Sequence, residues 1–227
     1  MDARIPMQGS GLTVLYRYLL VAYFLLVNVV ALGFVGAAYL QGWLDPIINA
    51  PLLELTGVIC AVFAYGTALA AWKVWQASRQ TVEVEDGRSP AGSPAAAYMA
   101  ALATGDDWEA DRAAQILRLT LSNRIVVVRH IANSLVLLGL IGTVIGFIIA
   151  LSGVDPTAAS DANKVGVMVA TLISGMSEAL NTTLVGSILY VWLIVNHRIL
   201  ATGTVRLLTA ALQAPAPADT ARRRAAE

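Results

Sequence analysis

Residues 131-IANSLVLLGLIGTVIGFIIALSG-153 pose the first question of this 227-residue chain. The segment carries no charge and reaches the roughly 20 apolar residues that a helix needs to cross a bilayer core. Yet Gly139, Gly142 and Gly146 interrupt it, and one hydroxyl, Thr143, stands among them. Each interior glycine costs a helix about 1 kcal/mol relative to alanine. In lipid no hydrophobic drive pushes helices together, so close association relies on small residues that let backbones approach. The glycines, with Gly142 and Gly146 forming a Gly-x-x-x-Gly pair, are therefore read as a packing face of a membrane helix.

Three further runs have the same character: 18–40, 55–72 and 165–196. The last is longer than a simple span, and its apolar run is broken by Glu178. The composition agrees, with 57% hydrophobic residues, only 13% charged and a mean hydropathy of +0.68; a soluble domain carries about 25% charged residues. The first run is longer than the core of a signal peptide and is followed closely by a second span, so it is read as a retained helix. The expected fold is an all-α integral membrane protein with four transmembrane helices.

Basic residues set the orientation. Of fifteen Lys and Arg, only Lys164 falls in the short loops 41–54 and 154–164, which carry Asp45, Glu54, Asp155 and Asp161. The others lie in the N-terminal segment, in 73–130 or after Asn196. Both termini are expected in the cytoplasm (N-in/C-in), in a multi-pass protein. The chain then divides into an N-terminal transmembrane hairpin (1–76), a cytoplasmic loop and helical segment (77–130), a transmembrane pair (131–196), and a cytoplasmic helix with a disordered tail (197–227).

Within the cytoplasmic segment, 77–94 contains Gly, Ser and Pro with no apolar period and reads as an exposed loop. Asp106 and Asp107 are candidate helix N-caps. Beyond them Leu117, Leu121, Ile125 and Val128 recur at spacings of three and four, and no breaker separates this stripe from the third span. One helix from Asp106 to Ser152 is predicted, about 65 Å long at 1.5 Å per residue, extending the third span into the cytoplasm. Residues 197–213 are predicted to continue the fourth span as helix. The Pro-Ala and Arg-rich end after them reads as disordered.

Several function classes lack raw material. Formal charge is zero, so nothing points to nucleic acid. The single Cys60 excludes a disulfide framework or cysteine-based zinc site, and His130 and His197 lie at the edges of apolar runs. No Ser–His or paired-Asp arrangement sits at depth, so no catalytic residue, metal or cofactor is expected. No internal repeat of the kind seen in secondary carriers is apparent.

The fourth span has its own small face, Gly175, Ala179, Thr182 and Gly186, alongside polar residues Glu178, Asn181, Thr182 and Thr183. Thr143 and Thr183 lie on helices joined by a short loop and are expected to offer two hydroxyls to one polar seam. Hydroxyls donate and accept, so they can orient water or coordinate a partly dehydrated cation. The alternative is a non-conducting four-helix membrane scaffold, in which the glycines only pack helices and Thr143 bonds back to its own helix. Glu54 and Glu178 are placed near the outer boundary, and no titratable side chain sits at the centre of a span. A conducted H⁺ or Na⁺ would therefore need a carboxylate from another polypeptide.

The pairing of 139-GLIGTVIGF-147 with 175-GMSEALNTTLVGSILYVWLIVN-196 resembles the MotA/TolQ/ExbB family of ion-driven inner-membrane motors. Gly139, Gly142, Thr143, Gly146, Glu178, Ala179, Leu180, Thr183 and Gly186 match the family's two helix motifs. The resemblance implies a homopentamer in the bacterial inner membrane, around the single helices of a MotB/TolR/ExbD-like partner that supplies a membrane Asp and a periplasmic domain. It further implies Thr143 and Thr183 as ion-path hydroxyls, with Glu178, Thr182 and Asn181 near them. A family proline in the later half of the last span has no counterpart in 187-SILYVWLIVN-196.

Overall fold

The computed structural model describes residues 10–43, 45, 53–85, 94–104, 106–154 and 162–213. Among these residues the regular elements are all helices: α1 (Ser10–Leu40), α2 (Leu53–Glu85), α3 (Pro94–Thr104), α4 (Asp107–Ser152) and α5 (Ala162–Gln213). The four longest, α1, α2, α4 and α5, are long and apolar enough to cross a membrane. No strand occurs among the described residues.

Local chemistry sets the helix ends. α1 closes at Gly42, whose φ of 73° is the left-handed geometry that terminates helices without a Cβ penalty. There the Gly42 N–H donates to the Tyr39 carbonyl at 3.0 Å and the Trp43 N–H to that of Ala38 at 3.1 Å. α4 opens at the predicted cap: the Asp106 carboxylate accepts from the Trp108 N–H at 3.0 Å. From there α4 runs unbroken for 46 residues to Ser152. α5 likewise continues through 197–213. The chain after it lies outside the described residues.

Glu178 interrupts the fourth apolar run but not the helix, since α5 passes through it as one 52-residue helix. Two expectations need correction. The stretch 77–94 is not a loop where it is described, since 77–85 continue α2 and Pro94 opens α3. Ala77 and Ser78 are buried there, so the buried face is built from small residues, which a search for an apolar period does not register. Finally, no element was expected in 95–105, where α3 lies. Its sequence PAAAYMAALAT combines alanine, the best helix former, with proline at the first position, where a missing N–H costs nothing.

The chain packs as two compact units. One draws on residues up to Asn28, on Ala70–Val126 and on the chain from His197. Its core is a side-chain cluster: Tyr98 and Met99 of α3, Leu117 and Leu121 of α4, and Leu207 and Ala211 of α5, with Leu102, Ala113 and Ala114 packed against it. α3 exists as a helix because its apolar side covers this cluster. The other unit comprises Val29–Leu69 and Val127–Asn196. In it α2 meets the pair α4 and α5 where Gly66 faces Leu193 and Ile131, and Phe63 and Trp192 lie with ring centroids 4.9 Å apart.

Candidate functional site

The site is built on the contact between α4 and α5 in the second unit. The two helices run antiparallel there, and small residues meet at each turn. A Cβ on Gly146 would stand 2.7 Å from the Ala179 nitrogen and 2.8 Å from the Gly175 carbonyl oxygen. On Gly175 it would stand 2.6 Å from the Ala150 nitrogen, and on Gly186 2.8 Å from the Leu135 oxygen. Gly142 is covered by the Thr182 side chain, and Gly139 lies against the backbone of Thr182 and Thr183. All six small residues singled out in the sequence, Gly139, Gly142, Gly146, Gly175, Ala179 and Gly186, thus lie in this contact. Backbone touches backbone, and at Gly142, Gly146, Gly175 and Gly186 even one added carbon would force a shift.

That closeness brings two hydroxyls together. Thr143 and Thr183, 40 residues apart in sequence, contact each other through their Oγ1 atoms. Both also reach the Gly139 carbonyl oxygen, each at 3.1 Å. Gly139 eases this approach, since a Cβ there would stand a tight 3.3 Å from the Thr182 carbonyl oxygen and the Thr183 Cα. Two hydroxyl protons serve three contacts, so one proton always has a choice of acceptor. Three oxygens converge at the edge of the seam, and their lone pairs are not all used.

Exposure separates the predicted residues. Thr183 is exposed and Thr143 half-buried. Around them on the same helices stand exposed apolar side chains, among them Leu140 at 59% and Leu180 at 69%. Thr182, by contrast, is fully buried, and its hydroxyl bonds back to the carbonyls of Glu178 at 3.2 Å and Ala179 at 3.1 Å. Glu178 is also buried, only 2% exposed, and Asn181 is half-buried. The structure therefore joins Thr143 to Thr183 and sets Thr182 on the packing contact over Gly142. Glu178 neighbours Ala179, which meets Gly146 about two turns before α4 ends.

Ser187 was not singled out in the sequence. It is exposed, one turn beyond Thr183, and its hydroxyl donates to the Thr183 carbonyl at 2.7 Å. The i+4 spacing from Thr183 was the available signal. Among the described residues no group of three or more His, Cys, Asp or Glu stands together as a metal site.

One comparison with known proteins matches. The model of the MotA/TolQ/ExbB proton channel family covers residues 97–212, just over half of the 227-residue chain. It spans α4, most of α3 and all but the last residue of α5, and so includes the glycine seam and both threonines. No curated protein and no solved structure matches.

Proposed function

Because the chain belongs to the MotA/TolQ/ExbB proton channel family, we propose that it is the channel subunit of an ion-driven motor in which Thr143 and Thr183 line the ion path. Members of this family are ion-driven channel and motor subunits of the membrane, and they generally work in oligomers with MotB/ExbD/TolR-like partners. In the proposed assembly five copies of this chain surround the single helices of such a partner in a bacterial inner membrane. Both termini and the 77–130 segment face the cytoplasm, and H⁺ or Na⁺ flow is coupled to mechanical work. The partner contributes the membrane carboxylate.

One observation carries the reading: a joined hydroxyl pair, Thr183 exposed and Thr143 half-buried, sits among exposed apolar side chains on two membrane-length helices, with the exposed Ser187 one turn away. Polar groups facing hydrocarbon are unfavourable, and polar residues in spans normally turn towards a protein partner or a water-filled cavity. A face carrying three convergent oxygens is suited to handing on a proton or replacing part of a cation's hydration shell. Glu178, buried beside the seam, is assigned to the outer end of this path, with Thr182 and Asn181 shaping it.

The test is partner-dependent ion flux, in cells or proteoliposomes, for Thr143→Val and Thr183→Val, with expression and oligomer size checked in parallel. Valine keeps the shape and removes the hydroxyl. If the threonines only pack helices, as in a non-conducting scaffold, each change is near neutral, because a hydrogen bond in a membrane protein averages about 0.6 kcal/mol. If they line the path, a barrier raised by about 2.7 kcal/mol slows conduction roughly a hundredfold. Normal flux in the double variant would remove these residues from the path.

A further inference from the structure

A second polar arrangement lies in the other unit, on α2 and α4. The Lys73 ammonium donates to the main-chain carbonyl of Arg124 at 2.8 Å, and the Arg124 guanidinium donates to Gln80 Oε1 at 3.2 Å. Lys73 and Gln80 are two turns apart on α2, so Arg124 of α4 is held between them. Both cations are half-buried. Among the described residues neither is paired with a carboxylate, and both keep N–H donors in excess of the bonds they make. Two positive charges thus stand on adjoining turns of two packed helices, and the acceptors they bond among the described residues are neutral. Like charges fixed together without a counterion repel, and an anion brought to them is held by both.

The neighbouring side chains indicate which anion. Trp72 and Trp75 flank Lys73 in sequence and are 64% and 50% exposed, with ring centroids 5.8 Å apart in an edge-on pair. Tryptophans that expose broad apolar rings at the end of an apolar helix mark the headgroup level of a bilayer. The apolar run of α2 ends at Trp72, and Lys73 is the first charge after it. A lysine in this position ordinarily reaches out to water; this one is tied to the Arg124 carbonyl instead.

From this juxtaposition we propose that Lys73 and Arg124 bind the phosphate of an anionic phospholipid headgroup, with Trp72 and Trp75 against the lipid's glycerol and upper acyl chain. Basic pockets between membrane helices take such headgroups. The inference uses the membrane character of the chain and not the ion path, so either can fail without the other.

Native mass spectrometry of the full-length protein in detergent, titrated with phosphatidylglycerol or phosphatidylcholine, tests it. Each cation contributes about a fivefold preference for the anionic lipid, so wild type favours phosphatidylglycerol about twenty-five-fold and Lys73→Gln/Arg124→Gln loses that preference. Lys73→Arg with Arg124→Lys keeps the charges and retains most of it. Equal retention of the two lipids by wild type overturns the proposal, and needs no variant to fold. So does an unchanged preference in the double glutamine variant. Release of the bound lipid by millimolar inorganic phosphate would reassign the pair to a free anion. A change in oligomer mass without a change in lipid retention would make it a contact with a second copy.

Discussion

α4 and α5 pack together in both units, by opposite means. In the unit that holds Val127–Asn196 they meet through Gly139, Gly146, Gly175 and Gly186, backbone against backbone. In the unit that holds Ala70–Val126 they meet through Leu117, Leu121 and Leu207, with α3 laid over them. Burying a leucine side chain is worth about 2 kcal/mol when water is the alternative, and far less when hydrocarbon is. Helices in lipid gain instead from dispersion between closely approaching backbones, which small residues permit. In the proposed topology the switch from leucine to glycine along the same helix pair coincides with a passage from water into lipid.

The sharpest way to break this contrast is Gly146→Leu. A side chain there has no space, since even its first carbon would lie 2.7 Å from the Ala179 backbone nitrogen. Overpacking of a tight core costs about 3 kcal/mol, and here it is expected to prevent assembly altogether. Size-exclusion profiles should lose the peak of the proposed oligomer; an unaltered profile would show that the seam is not needed.

Leu117→Ala probes the other core. Leu117 is 1% exposed within the α3–α4–α5 cluster, so its truncation is expected to cost about 3 kcal/mol. The effect should be confined to one unit: amide exchange in α3 rises by about a hundredfold, while protection around Gly139–Gly146 stays as it was. A uniform rise across both would mean that the two cores do not respond separately.

The smallest effect is expected at Gly36 of α1, where an added Cβ meets nothing within 4 Å. Gly36→Ala should be neutral or stabilise the helix by up to about 1 kcal/mol, read from the thermal melt in detergent. Loss of oligomer on this change would instead mean that another copy covers this side of α1.

Much of the molecule could be read from its residues. Four apolar runs long enough to span a bilayer, an aspartate cap at α4 and the absence of a breaker before Ser152 are local properties. Helical hydrogen bonds close within one turn, so such elements form where their own residues favour them. The Gly-x-x-x-Gly spacing announced a close helix contact for the same reason. What stayed hidden was α3, because 94-PAAAYMAALAT-104 shows its purpose only when Tyr98 and Met99 find Leu117 and Leu207. The helical course of 77–85 was missed because its buried face uses Ala77 and Ser78.

Thr182 and Thr183 make the division clearest. They are the same residue, adjacent, in the same helix, and local propensity treats them alike. A helix turns about 100° per residue, so they cannot share a face, but the angle alone does not say which faces inward. Packing does: Gly142 leaves the space that Thr182 fills, and the bare Gly139 carbonyl receives the hydroxyl of Thr183 beside that of Thr143. Residue type and spacing determined that these helices would cross a membrane and pack closely. Only the tertiary contact decided which hydroxyl is buried and which is exposed, because that choice depends on the shape of a helix 40 residues away in sequence.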